Sequence, residues 1–161
     1  MIRAAAAFAL AALTLPGCAP QGEDEAAAAL TAMQQLARDF SGEGLCLHNS
    51  FALRVPSSTQ RGMFVEGPPP AGFELLEDRQ PNSTGLKPEE LRARLPRKWH
   101  IGDGSKEMCF EFTHPLIRQD RALVSVEIHR NLALFGRRNY WLLRQGGGWA
   151  VAARTDGGVD I

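Results

Sequence analysis

The chain lacks the common patterns that announce a chemistry. Its 161 residues hold no glycine-rich phosphate loop, no G-x-S-x-G, no H-E-x-x-H and no C-x-x-C. That removes the usual signatures of nucleotide binding, serine hydrolysis, zinc proteolysis and dithiol redox chemistry. An excess of one charge is missing too: 18 Lys and Arg stand against 18 Asp and Glu. Without a basic footprint, nucleic acid is not an expected partner. Three cysteines are too few for a disulfide scaffold, so the fold must be carried by a hydrophobic core. Long apolar runs are absent as well. The longest, Ala4 to Leu15, has twelve residues interrupted by Thr14, too short to cross roughly 30 Å of hydrocarbon as a helix.

That run has the place and length of an export signal, with Arg3 as the positive n-region ahead of it. Leu15-Pro16-Gly17-Cys18 closes the leader. This tetrapeptide resembles the lipobox of bacterial lipoproteins, with a leucine three residues before a cysteine and a small residue just ahead of it. Pro16 departs from the usual small residue. The resemblance implies that residues 1–17 are removed and that Cys18 carries lipid as the first mature residue, each buried CH₂ contributing about 0.8 kcal/mol of membrane affinity. The membrane is then a partner through the anchor. Ala19, where inner-membrane lipoproteins carry Asp, implies the outer membrane, facing the periplasm. The alternative is an ordinary secretory signal cut near Ala19, with Cys18 discarded.

Residues 18–23 then form a short tether and residues 24–161 a single α+β domain. We expect an N-terminal helix packed on an antiparallel sheet of about four to six strands that ends in a meander. Ala26, Leu30, Met33, Ala37 and Phe40 recur at helical steps behind Glu23, Asp24 and Glu25. Leu45 to Val55 alternates as a strand, and Met63 to Glu66 is a candidate edge strand. Pro88 opens a short helix that Pro96 stops. From Met108 to Arg154 the pattern is period two, with Met108, Phe110 and Phe112 on one face, and Ala122, Val124, Val126 and Ile128 likewise. Gly146-Gly147-Gly148 marks a tight hairpin. Leu132, Leu134 and Phe135 sit in another connection, where they cap the core or present a contact patch.

Cys46 and Cys109 fall on the less apolar face of their strands. In an oxidising compartment such a pair bonds more often than not, so a Cys46–Cys109 disulfide is expected; the alternatives are two separately buried thiols, or a redox pair, which usually has the C-x-x-C spacing absent here. His48, Glu111, Glu127 and His129 share that outer parity. They are the candidates for an acid/base site, set against a plain solvated sheet face. The four histidines show no metal-ligand spacing, so neither a metal nor a cofactor is expected.

The order of helix, strands, short helix and meander, closed by Gly147-Gly148-Trp149-Ala150-Val151, resembles the small α+β domains of the nuclear transport factor-like superfamily. That resemblance implies a small-ligand cavity between the helix and a curved sheet. The proline-rich insertion around Pro68-Pro69-Pro70 departs from the compact pattern. Two functions remain open: a non-enzymatic binding or structural module of the cell envelope with an envelope partner, and a pocket protein or small hydrolase using His48 or His129 with Glu111 or Glu127.

Overall fold

The computed structural model describes residues 21–40, 44–51, 68–76, 87–95, 98–131 and 133–158. The leader, Cys18, the Met63 to Glu66 segment and Leu132 lie outside them. Helix α1 spans Gln21–Asp39, beginning inside the stretch read as a tether. Its buried face is Ala26, Ala28, Ala29, Ala32, Met33 and Leu36. The alanines let the helix lie close to the sheet, and Met33 and Leu36 fill the space that remains. Leu30 and Ala37 are only half-buried, so the stripe is rotated from the expected one toward Leu36. Alanine-rich helices leave the centre of their apolar face undetermined, because alanine is tolerated on either side. No helix among the described residues is long and apolar enough to cross a membrane.

The sheet that α1 covers has seven strands: β1 (Leu45–His48), β2 (Trp99–Gly102), β3 (Cys109–Phe112), β4 (Leu116–Arg118), β5 (Arg121–Arg130), β6 (Ala133–Gln145) and β7 (Gly148–Gly158). Their order is β2-β1-β3-β5-β6-β7, with β4 pairing on β5. A helix on a sheet is as expected, but the sheet is mixed: β1 runs parallel to both β2 and β3. Parallel neighbours need a crossover connection of a dozen or more residues. The one from β1 to β2 includes the short helix α2 (Pro88–Arg92). Alternation reveals which residues face inward but not which strand lies alongside, so β2 and β4 were not foreseen. Strand β1 is also shorter than the period suggested, since Asn49 and Ser50 bend away. Met108 lies just ahead of β3 and is exposed rather than inward-facing.

Between α1 and the sheet lies the main core, which includes Leu45, Leu47, Trp99, Phe110, Phe112, Val124, Val126, Ile128, Tyr140 and Leu142. A second, smaller core of Phe73, Leu76, Leu116, Leu123 and Trp141 covers one end of the opposite face. The glycine turn joins β6 to β7 as expected, with Gly146 at φ 57° and Gly147 at φ 83°. In the β5–β6 hairpin, Ile128 faces Gly136 but His129 faces Leu134, so Phe135 is left over as the extra residue of a β-bulge. It is 46% exposed and caps nothing.

Ion pairs fasten both ends of α1. Arg144 and Trp149 Nε1 both bind Asp24, the latter at 3.0 Å, while Arg144 stacks 4.3 Å from the Trp149 ring centre. At the other end Asp39 accepts from Gln35, Arg138, Arg154 and the Tyr140 hydroxyl at 2.9 to 3.3 Å. A carboxylate there faces the negative end of the helix dipole. Burial pushes the Asp39 carboxyl up, but the hydrogen bonds from Gln35, Tyr140 and Arg154 and the charge of Arg154 outweigh it and hold it below 3.8. On the partner side, burial and then Asp39 push the Tyr140 phenol far up, which keeps it a donor.

His114, buried beyond the end of β3, shifts in the other sense for a base. Burial lowers it below 6.5, and the opposing charge of Glu25 is the smaller effect. Both groups make the protein acid-labile in distinct windows. A histidine held neutral contributes stability above 6.5 that falls away as the unfolded chain takes up the proton; a depressed carboxyl contributes above 3.8 and loses that contribution as pH drops to its folded value. Urea unfolding across a pH series is expected to show two acid limbs. His114→Gln should flatten the one beginning near 6.5, and Asp39→Asn the one beginning near 3.8. An unchanged upper limb in His114→Gln would refute the burial account.

Candidate functional site

Along β5 the residues that face away from α1 are Leu123, Ser125, Glu127 and His129. The character of that face changes with them. Leu123 belongs to the small core, Ser125 donates to Asn139 on β6, and Glu127 and His129 enter a charged cluster. In register, Glu111 of β3 stands directly opposite Glu127, and Arg137 of β6 opposes Glu127 from the other side. Two carboxylates facing across an antiparallel pair repel. What the sheet places around them is therefore the chemistry of the site.

Each carboxylate has one oxygen taken by a donor. Ser50 Oγ donates to Glu111 Oε1 at 2.7 Å, and Arg137 Nη2 binds Glu127 Oε1. The second oxygens converge. His129 Nε2 lies 2.8 Å from Glu111 Oε2 and 3.6 Å from Glu127 Oε2. It is closed off from solvent, yet it forms no hydrogen bond there. His48 completes the row: its Nδ1 is 2.9 Å from Ser50 Oγ and 3.7 Å from Glu111 Oε1, and its ring centre is 5.3 Å from that of His129. The two histidines and two glutamates expose 13–18% of their side chains, Arg137 1%. They are thus mostly buried groups, each with a small part of its side chain exposed.

The proton directions follow from simple bookkeeping of donors. A hydroxyl has one proton. Ser50 gives its own to Glu111, so it must accept from His48, which places a proton on Nδ1 of that ring. The order is His48, Ser50, Glu111. In a hydrolytic triad the imidazole stands between hydroxyl and carboxylate and takes the hydroxyl proton; here the hydroxyl stands in the middle.

The disulfide lies beside the cluster. Cys46 and Cys109 are register partners across β1 and β3, bonded with their Cα atoms 4.5 Å apart, and Cys109 also faces His129. The Asp103–Met108 link passes over this part of the sheet. Gly104 of that link lies against His129 and Cys109, and Gly102 at the end of β2 makes room for the disulfide, since a Cβ there would sit 2.7 Å from Cys46 Sγ.

All four candidates named from strand parity, His48, Glu111, Glu127 and His129, are therefore brought together. The other two histidines are outside the cluster: His100 pairs with exposed Glu107 at 2.8 Å, and His114 is buried with its ring centre 5.3 Å from that of Phe51. Ser50 and Arg137 were missed. Ser50 carried a faint signal, because it shares the parity of His48. Arg137 carried a misleading one: counting back from the turn without a bulge puts Gly136 opposite Glu127. The bulge at Phe135 moves Arg137 into that place. Trp141 and Tyr140 lie in opposite cores and Trp149 is engaged with Arg144 and Asp24, so they do not form one platform.

Pockets among the described residues lie away from the cluster. One of about 430 Å³ opens at the C-terminal end of α1, lined by Asp39, Phe40, Leu45, Glu107, Met108 and Phe110; another, about 270 Å³, lies beside Phe73 and Arg121. Neither is lined by the carboxylate–imidazole cluster. No family model, curated protein or solved structure matches the chain.

Proposed function

We propose that the protein is a lipid-anchored protein of the cell envelope, facing the periplasm from the outer membrane, and that it works as a binding module. Its ligand is taken on the sheet face around Glu111. The observation that carries this reading is the convergence of His48, Ser50, Glu111, Glu127 and His129 from three separate stretches of chain on one patch. The lipobox-like leader supports the location, and a bonded cysteine pair is in keeping with an oxidising compartment. The order of the hydrogen-bonded row favours binding over hydrolysis. Ser50 donates to the Glu111 carboxylate and accepts from His48 Nδ1, so in this row the imidazole serves the hydroxyl as a donor and not as a base.

Two measurements test the proposal separately. Mass spectrometry of the mature N-terminus is expected to find Cys18 acylated; a mature chain starting at Ala19 or beyond would remove the anchor. Thermal melting of the purified protein with fractionated envelope extract is expected to show stabilisation that Glu111→Gln abolishes. Stabilisation of equal size in that variant would place the binding site elsewhere.

A further inference from the structure

The geometry points to a divalent first-row metal site, of the zinc class, whose ligands are Glu111 Oε2, Glu127 Oε2 and His129 Nε2. This rests on the reading of the Glu111 patch as a binding site and names its ligand. One donor atom from each of the three residues lies within 4.8 Å of the other two. Each ligand carboxylate is held through its other oxygen, Glu111 by Ser50 and Glu127 by Arg137. That is the arrangement in which outer hydrogen bonds fix the direction of a metal-binding oxygen.

Two features ask for a cation at that point. The first is the register itself, which sets Glu111 opposite Glu127. Like charges in that relation destabilise a sheet unless something positive lies between them. The second is His129 Nε2. Shut off from water, it approaches both carboxylates without donating to either.

The donor set chooses the class of metal. Two carboxylate oxygens with one imidazole nitrogen are too few and too nitrogen-rich for a calcium cage, and they suit zinc and its neighbours. Arg137 offsets one of the two carboxylate charges, so a divalent ion leaves the site modestly positive. Cys46, Cys109 and Glu107 also cluster, but both sulfurs are committed to the disulfide.

The test uses the mature full-length protein in detergent, disulfide intact, stripped with chelator and titrated with zinc chloride by calorimetry. One ion per chain is expected. Glu111→Gln and His129→Gln should each abolish that stoichiometric binding, while His100→Gln should leave it unchanged. Ser50→Ala removes only the outer hydrogen bond and should weaken zinc binding roughly 10- to 100-fold at the same stoichiometry; it serves as the second readout should either ligand variant fold poorly. Absence of binding by the folded wild type overturns the proposal. So does binding that persists in both ligand variants, or that is lost in His100→Gln, which would locate the ion at the exposed His100–Glu107 pair. If zinc fails to bind while Glu111→Gln still abolishes stabilisation by envelope extract, the metal falls and the binding site stands; if both effects are absent, both fall.

Discussion

Reduction of the Cys46–Cys109 disulfide is expected to lower the free energy of unfolding by roughly 4 kcal/mol, the chain-entropy value for a loop of this length. The bond closes a separation of 63 residues. Its position makes the effect more than entropic. Strand β1 is joined to β3 through only two register pairs, Cys46↔Cys109 and Leu47↔Phe110, and β2 hangs on β1. The covalent link is thus the firmest tie between the β1–β2 edge and the long β5–β6–β7 meander. His48 and Ser50 ride on the β1 side of that tie, and Glu111 and His129 on the other. Urea unfolding of the oxidised protein and of Cys46→Ala/Cys109→Ala would read the loss as a lower midpoint. Equal midpoints would show that the two-pair ladder holds the edge by itself.

Phe110→Ala is expected to cost roughly 3–5 kcal/mol, the range for emptying a buried aromatic position. Phe110 is 1% exposed and belongs to the main core. Its ring centre is 5.1 Å from that of Phe40, just past the end of α1, and 6.4 Å from that of Trp99 on β2. Backbone pairing to both Leu47 and Ile128 leaves little freedom to close the void. Phe135→Ala, at the exposed bulge, is the control and should change stability by well under about 1 kcal/mol. Comparable losses from the two substitutions would contradict this account of the core.

Much of the fold was legible because burial leaves a period. Alternation at Ala122 to His129 assigned both faces of β5 correctly, since a two-residue repeat admits only one partition. The same partition put His48, Glu111, Glu127 and His129 on one side. A parity shared by distant segments is necessary for a site but not sufficient. It became one because β3 lies between β1 and β5, a fact of strand order that carries no periodic mark. The parallel pairing of β1, the unforeseen strands β2 and β4, and the shortened β1 were hidden for the same reason.

The sequence by itself determined the alternating faces, the helix at the start of the domain, the glycine hairpin and the parity that allowed Cys46 to bond Cys109. Each of these follows from residues close together in the chain, or from a repeat that only one kind of backbone can bury. Tertiary structure decided which strands are neighbours, that Phe135 is squeezed out as a bulge, and hence that Arg137 rather than Gly136 meets Glu127. Those choices are made by packing between segments far apart in sequence, where a one-residue slip changes every partner and leaves composition and local pattern untouched.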